Sequence, residues 1–125
     1  MYALSLYNFS SIMYNSGIKF RGNSMQKNID RLYKDLYKFF ADVTSVEDFE
    51  KILNDLCTFN EVEQMAQRLE CAKQILAERT YNQIIAETGV SSATLSRVSR
   101  CVAHGSGGYA EVLKNYLDKE NSNEQ

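Results

Sequence analysis

The stretch from Arg79 to Cys101 reads RTYNQIIAETGVSSATLSRVSRC and divides at Gly89 into two short helical patterns. Thr80-Tyr81-Asn82-Gln83 has the spacing of a capping box, with a threonine cap and a glutamine at the third helical position. A helix is therefore expected from about Tyr81 through Ile84, Ile85 and Ala86. Gly89 suits the left-handed residue that closes such a helix, because it has no Cβ to clash there. Val90 is apolar and should tuck inward. Ser91 can cap a second helix by accepting from a free backbone N–H. Two helices joined by a tight glycine turn make the helix-turn-helix pattern.

The second helix has two unlike sides when laid on a wheel at about 100° per residue. Leu95, Val98 and Val102 cluster on one side, with Ser91 at its edge. Ala93, Ser96, Arg97 and Arg100 cluster on the other. A DNA major groove admits a helix whose leading residues are slim or can bond base edges. Serine and alanine permit close approach, and arginine can grip phosphate or guanine. The candidate DNA contacts are Ser91, Ser92, Ala93, Thr94, Ser96, Arg97 and Arg100, joined by Thr80, Asn82 and Gln83 at the start of the first helix. An ordinary helical hairpin with a solvated polar face would show the same pattern, and such motifs also occur in domains that bind only protein.

Working outward, Ile29, Leu32, Tyr33, Leu36, Phe39 and Phe40 form one apolar face and predict a helix over 27–42. A second helix should start near Ser45, capped by Ser45 or Thr44, with Glu47 and Asp48 in its first turn. It would bury Val46, Phe49, Ile52, Leu53 and Leu56. A third should start with Asn60 as cap and Glu63 three residues on, with a stripe of Val62, Met65, Ala66, Leu69, Ala72 and Leu76. Gly105, Gly107 and Gly108 mark a turn after the helix-turn-helix. A last helix carries Tyr109, Val112, Leu113, Tyr116 and Leu117, and the polar tail KENSNEQ should fray. The fold class expected is all-α with six helices. Residues 1–24 hold five serines, three asparagines, three tyrosines and no acid. They read either as a poorly ordered arm or as residues ahead of a natural start at Met25, and the pattern favours the second. The domain is expected over 25–119, with 120–125 a flexible tail.

The chain has 125 residues, which suits one domain, and 44% hydrophobic content, enough for a core. It has no proline, so nothing interrupts long helices. Cys57, Cys71 and Cys101 are an odd, scattered set without CxxC spacing, and His104 is the one histidine. That disfavours a disulfide framework and a zinc site; no metal or cofactor is expected. No segment approaches the roughly 20 apolar residues that span a bilayer, and the N-terminus lacks a secretory pattern, so a cytoplasmic location is expected. Net charge is −2, but charge is unevenly placed. Residues 19–38 carry six basic and two acidic side chains, residues 42–70 eight acidic and two basic, and residues 79–100 three arginines against Glu87 alone. Such asymmetry can make one face locally positive in an acidic protein.

The segment LCTFNEVEQMAQRLECAKQIL, followed by RTYNQIIAETGVSSATLSRVSR, resembles the Trp repressor superfamily, and within it the branch known as the YerC/YecD, TrpR-like proteins. The resemblance covers roughly Met25 to Lys119 and is specific from Ala86 to Arg100. It implies a six-helix subunit paired as an intertwined homodimer, with the first, second, third and last helices interlocked and each helix-turn-helix standing out as a reading head. It also implies a candidate effector pocket. The repressor's threonine and two arginines are matched by Thr58, Arg68 and Arg97. Two positions depart: a glycine is replaced by Val98 and a serine by Cys101. A β-branched residue should fill space that an indole needs, and loss of the hydroxyl removes a polar partner. Tryptophan is therefore not the expected effector.

The function expected is that of a sequence-specific DNA-binding transcriptional regulator, a repressor acting as a homodimer on a palindromic double-stranded operator, with a small-molecule effector left unidentified. The alternative is a helical dimeric protein-interaction module without DNA binding. Catalysis is disfavoured: His104 is expected in the glycine-rich turn with no evident partner, and its closeness to Cys101 in sequence is of a kind more often due to chance.

Overall fold

The computed structural model describes residues 23–124, and among them there are six α-helices, one π-helical turn and no strand. The helices are α1 (Asn23–Asp42), α2 (Val46–Leu56), α3 (Phe59–Leu76), α4 (Tyr81–Thr88), α5 (Ser92–His104) and α6 (Lys114–Asn123), with the π-helical turn Gly108–Leu113 leading into α6. The chain divides into two compact units, Met1–Phe59 and Asn60–Gln125.

In the first unit, Ser45 caps α2 as expected: its Oγ accepts from the Asp48 N–H at 3.1 Å. The Phe40 and Phe49 rings lie 5.3 Å apart and pin α1 to α2. Apolar stripes are present on both helices, yet no residue from Gln26 to Phe59 is buried within the chain. Phe39 is 46% exposed and Leu36 37%.

The second unit holds the core. Cys71 and Ala72 of α3, Ile84 of α4, Val90 of the turn, Leu95 and Val98 of α5, and Leu113 of the π-helical turn are buried together. Ile75, Leu76, Ile85, Val102, Tyr109 and Leu117 pack around them. Burying each of the larger apolar side chains contributes about 1.5–3 kcal/mol. That burial holds α4 and α5, too short to persist alone, against α3.

Four boundaries differ from expectation. Helix α1 begins at Asn23 rather than 27, while the rest of the expected N-terminal arm, residues 1–22, lies outside the described residues. Asn60 is not a cap but the second residue of α3, because the helix starts one residue earlier. His104 does not lie in the glycine turn; it closes α5. Helix α6 continues through Asn123 into the polar tail, where the Ser122 hydroxyl donates to the Asp118 carbonyl at 2.8 Å.

Candidate nucleic-acid interface

Local chemistry sets the two helices of the motif. Thr80 Oγ1 accepts from the Gln83 N–H, and the Gln83 side chain accepts from the Thr80 N–H at 3.0 Å, completing the capping box. Gly89 has φ 68 and donates its N–H to the Ile85 carbonyl at 2.9 Å. Thr88 adds a clasp, its hydroxyl donating to the Ile84 carbonyl at 2.7 Å and accepting from the Val90 N–H at 3.4 Å. Val90 is then driven inward, 6% exposed. Ser91 caps α5 by accepting from the Thr94 N–H at 3.2 Å.

With α5 seated by Leu95 and Val98, its opposite side is presented outward. Ser91, Ser92, Ala93, Ser96, Arg97 and Arg100 are exposed, and Thr94 is half-buried. Thr80, Asn82 and Gln83 are exposed at the start of α4. From Thr88 to Ala110 the chain contains no acidic residue, so α5 presents its arginines without an internal counter-charge. The two N–H groups of Ser92 and Ala93 lie at the helix N-terminus, where a phosphate is favoured.

Two further side-chain pairings fix the angle between α4 and α5 and brace α4, and neither is marked by the sequence. The Tyr81 hydroxyl donates to the Ser99 Oγ, joining the start of α4 to the middle of α5. The Arg79 guanidinium pairs with Glu87 along the outer side of α4. No local signal points to either, because the partners become neighbours only when the helices form and pack.

The residues expected to form an effector pocket are placed unequally. Thr58 belongs to the first unit and is exposed. Arg68, Arg97, Val98 and Cys101 belong to the second. Val98 is 2% exposed and is part of the core. Arg68 is half-buried and donates to the Gln64 Oε1 at 3.2 Å. It lines an open cleft of about 420 Å³ between the first half of α3 and the turn, with Asn60, Gln64, Gln67, Ser91 and Thr94 among the lining side chains. Tyr109, expected only as an apolar residue of the last helix, is half-buried against the core. Burial raises the Tyr109 phenol above the usual tyrosine range; the Cys101 thiol adds to the rise, and the Arg68 and Arg97 guanidinium groups pull against it.

Comparison with known proteins agrees with this geometry. A family model described as Trp repressor protein matches residues 31–117. The uncharacterized protein YerC of Bacillus subtilis (strain 168) is 41% identical over 96 residues, covering 74% of this chain and 92% of that protein. Two solved structures share the fold at 32% identity. One, from Staphylococcus aureus and described as a candidate Trp repressor, superposes with a TM-score of 0.64 over 78% of this chain and 89% of that one. The other, a TrpR like protein from Eubacterium eligens ATCC 27750, superposes with a TM-score of 0.66 over 69% of this chain and 89% of that one.

Proposed function

The chain belongs to the Trp repressor protein family, and from that premise we propose that it is a sequence-specific DNA-binding transcriptional regulator, a repressor acting as a homodimer on a palindromic operator. The observation that carries this reading is the outer side of α5. It is exposed, slim at Ser92, Ala93 and Ser96, cationic at Arg97 and Arg100, and free of acid. Small side chains let the helix approach base edges, and the arginines supply phosphate or guanine contacts. A regulator that binds DNA acts in the cytoplasm, which is the location this reading implies; among the described residues no helix is long and apolar enough to cross a membrane.

The dimer is supported by apolar surface left uncovered by the single chain. Leu32, Phe39, Val46, Leu56 and Phe59 are all between 46% and 87% exposed. Such concentrated apolar exposure marks a protein-contact surface. A two-fold dimer then presents two recognition helices, and half-sites one DNA turn apart, about 34–36 Å, form a palindrome. Tryptophan is not its effector, since Val98 and Cys101 replace the glycine and serine of the repressor's pocket.

Selection of bound duplexes from a random DNA pool tests the reading. Enrichment of a palindrome supports it. No enrichment, with the protein dimeric and folded, transfers the assignment to an interaction module that uses the same helices to hold another protein.

A further inference from the structure

Tyr81 is the first residue of α4, set between Thr80 and Asn82, and all three are exposed. Its side chain nevertheless reaches across to the neighbouring helix. The hydroxyl donates to the Ser99 Oγ of α5, 18 residues further along the chain. Ser99 is half-buried. It follows Ser92 and Ser96 at i, i+4 and i+7 spacing, so it stands where the outward side of α5 meets the seated side.

The bond links two groups of exposed side chains that the core alone holds loosely in register. Ile84 seats the middle of α4, and Leu95 and Val98 seat α5. Apolar burial is non-directional, so it holds the helices together without fixing how one is rotated on the other. A hydrogen bond weakens steeply as its angle opens. Tyrosine is also stiff, with two side-chain torsions between the backbone and the ring. A bond at the tip of such a side chain sets the distance from the start of α4 to the middle of α5. The start of α4 carries Thr80, Asn82 and Gln83, and α5 carries Ser92, Ala93 and Ser96.

We propose that Tyr81 sets the sequence specificity of the reading head: by donating to Ser99 it holds the exposed start of α4 in register with the outward side of α5. The inference rests on the DNA-binding reading and makes Tyr81 a positioning residue. Contacts to phosphate carry no sequence information and tolerate a shift of the head. Contacts to base edges need the donor and acceptor pattern of each base pair to be met at short range. A loosened α4–α5 angle therefore costs the operator more than it costs a scrambled duplex. One hydrogen bond changes an equilibrium by about two- to tenfold. Operator affinity falls in proportion as fewer heads hold the correct angle.

The test measures binding of the full-length parent, Tyr81→Phe, Ser99→Ala and the double variant to a selected operator and to a scrambled duplex at one salt concentration. Tyr81→Phe keeps the ring and removes only the hydroxyl. Each single variant should lose about two- to tenfold in operator affinity and bind the scrambled duplex nearly as the parent does. The double variant should lose no more than either single one, because the same bond is broken once. Ser99→Thr keeps a hydroxyl and should restore parental preference. A merely structural role would instead lower the melting temperature and weaken both duplexes together.

Three results overturn the inference: single variants with parental preference for the operator, equal losses on the two duplexes, or losses that multiply in the double variant. Should Tyr81→Phe fail to fold, Ser99→Ala decides: loss of preference with scrambled binding intact supports the inference, and unchanged preference overturns it. A parent that binds neither duplex defeats the DNA-binding reading and this inference with it. A parent that prefers its operator, matched by every variant, defeats this inference alone.

Discussion

Replacing Arg100 by alanine should weaken binding to every DNA sequence and flatten its salt dependence. Arg100 is exposed on α5, one turn beyond Arg97 and on the side opposite the buried Leu95 and Val98. The substitution leaves the core untouched, so folding stability should change by no more than about 0.5 kcal/mol. Each recognition helix loses one cation, and the proposed dimer loses two. Each neutralised phosphate adds about 0.9 to the slope of log affinity against log salt, so two account for about 1.8. Between about 50 and 200 mM salt, a fourfold change, the parent should therefore lose about twelvefold more affinity than the variant. Fluorescence anisotropy with the selected operator and a scrambled duplex, across that salt range, measures both slopes. The reasoning is refuted by an unchanged slope together with unchanged affinity. A weakening confined to one base position, with the slope intact, would instead assign Arg100 to a guanine edge.

Ala93→Leu should leave binding to scrambled DNA nearly intact and reduce operator preference, by about 1–3 kcal/mol of discrimination for each base edge the bulkier side chain holds off; equal discrimination by parent and variant in competition binding would remove Ala93 from the base-facing surface. Gly89→Ala should destabilise the reading head by about 1–2 kcal/mol, the cost of a left-handed residue that bears a Cβ. A Cβ at Gly89 meets no atom within 4 Å, so the cost is conformational and Gly89→Asn should recover part of it in thermal denaturation. Thr80→Ala removes the α4 cap and should cost about 1 kcal/mol by denaturant titration. Phe39→Asp should abolish the dimer, because a half-exposed ring that awaits a partner is replaced by a charge that cannot be buried unpaired; a variant that sediments as a dimer would show that this face lies outside the interface.

The helix-turn-helix was legible residue by residue because its determinants are local. A capping box spans four residues, and a left-handed glycine acts on its own turn. Thr80, Gln83, Gly89 and Ser91 accordingly take the roles expected of them. The buried and exposed sides of α5 were legible for a related reason, since helical periodicity is a property of one element. Leu113 was read as part of a last helix that interlocks with a partner chain, but at 8% exposure it is already buried in its own unit. Periodicity shows that a residue is apolar on one face; it does not show which neighbour covers that face.

Sequence alone determined the helix class, the α4–α5 turn, the outward side of α5 and its lack of acid, each set by chemistry within a few residues. Only the tertiary structure decided that Tyr81 reaches Ser99 and that Tyr109 packs on the core that α3, α4 and α5 share. These relations join residues on different helices. They depend on how three apolar stripes share one core and on a π-helical turn whose i to i+5 bond has no signature in residue spacing.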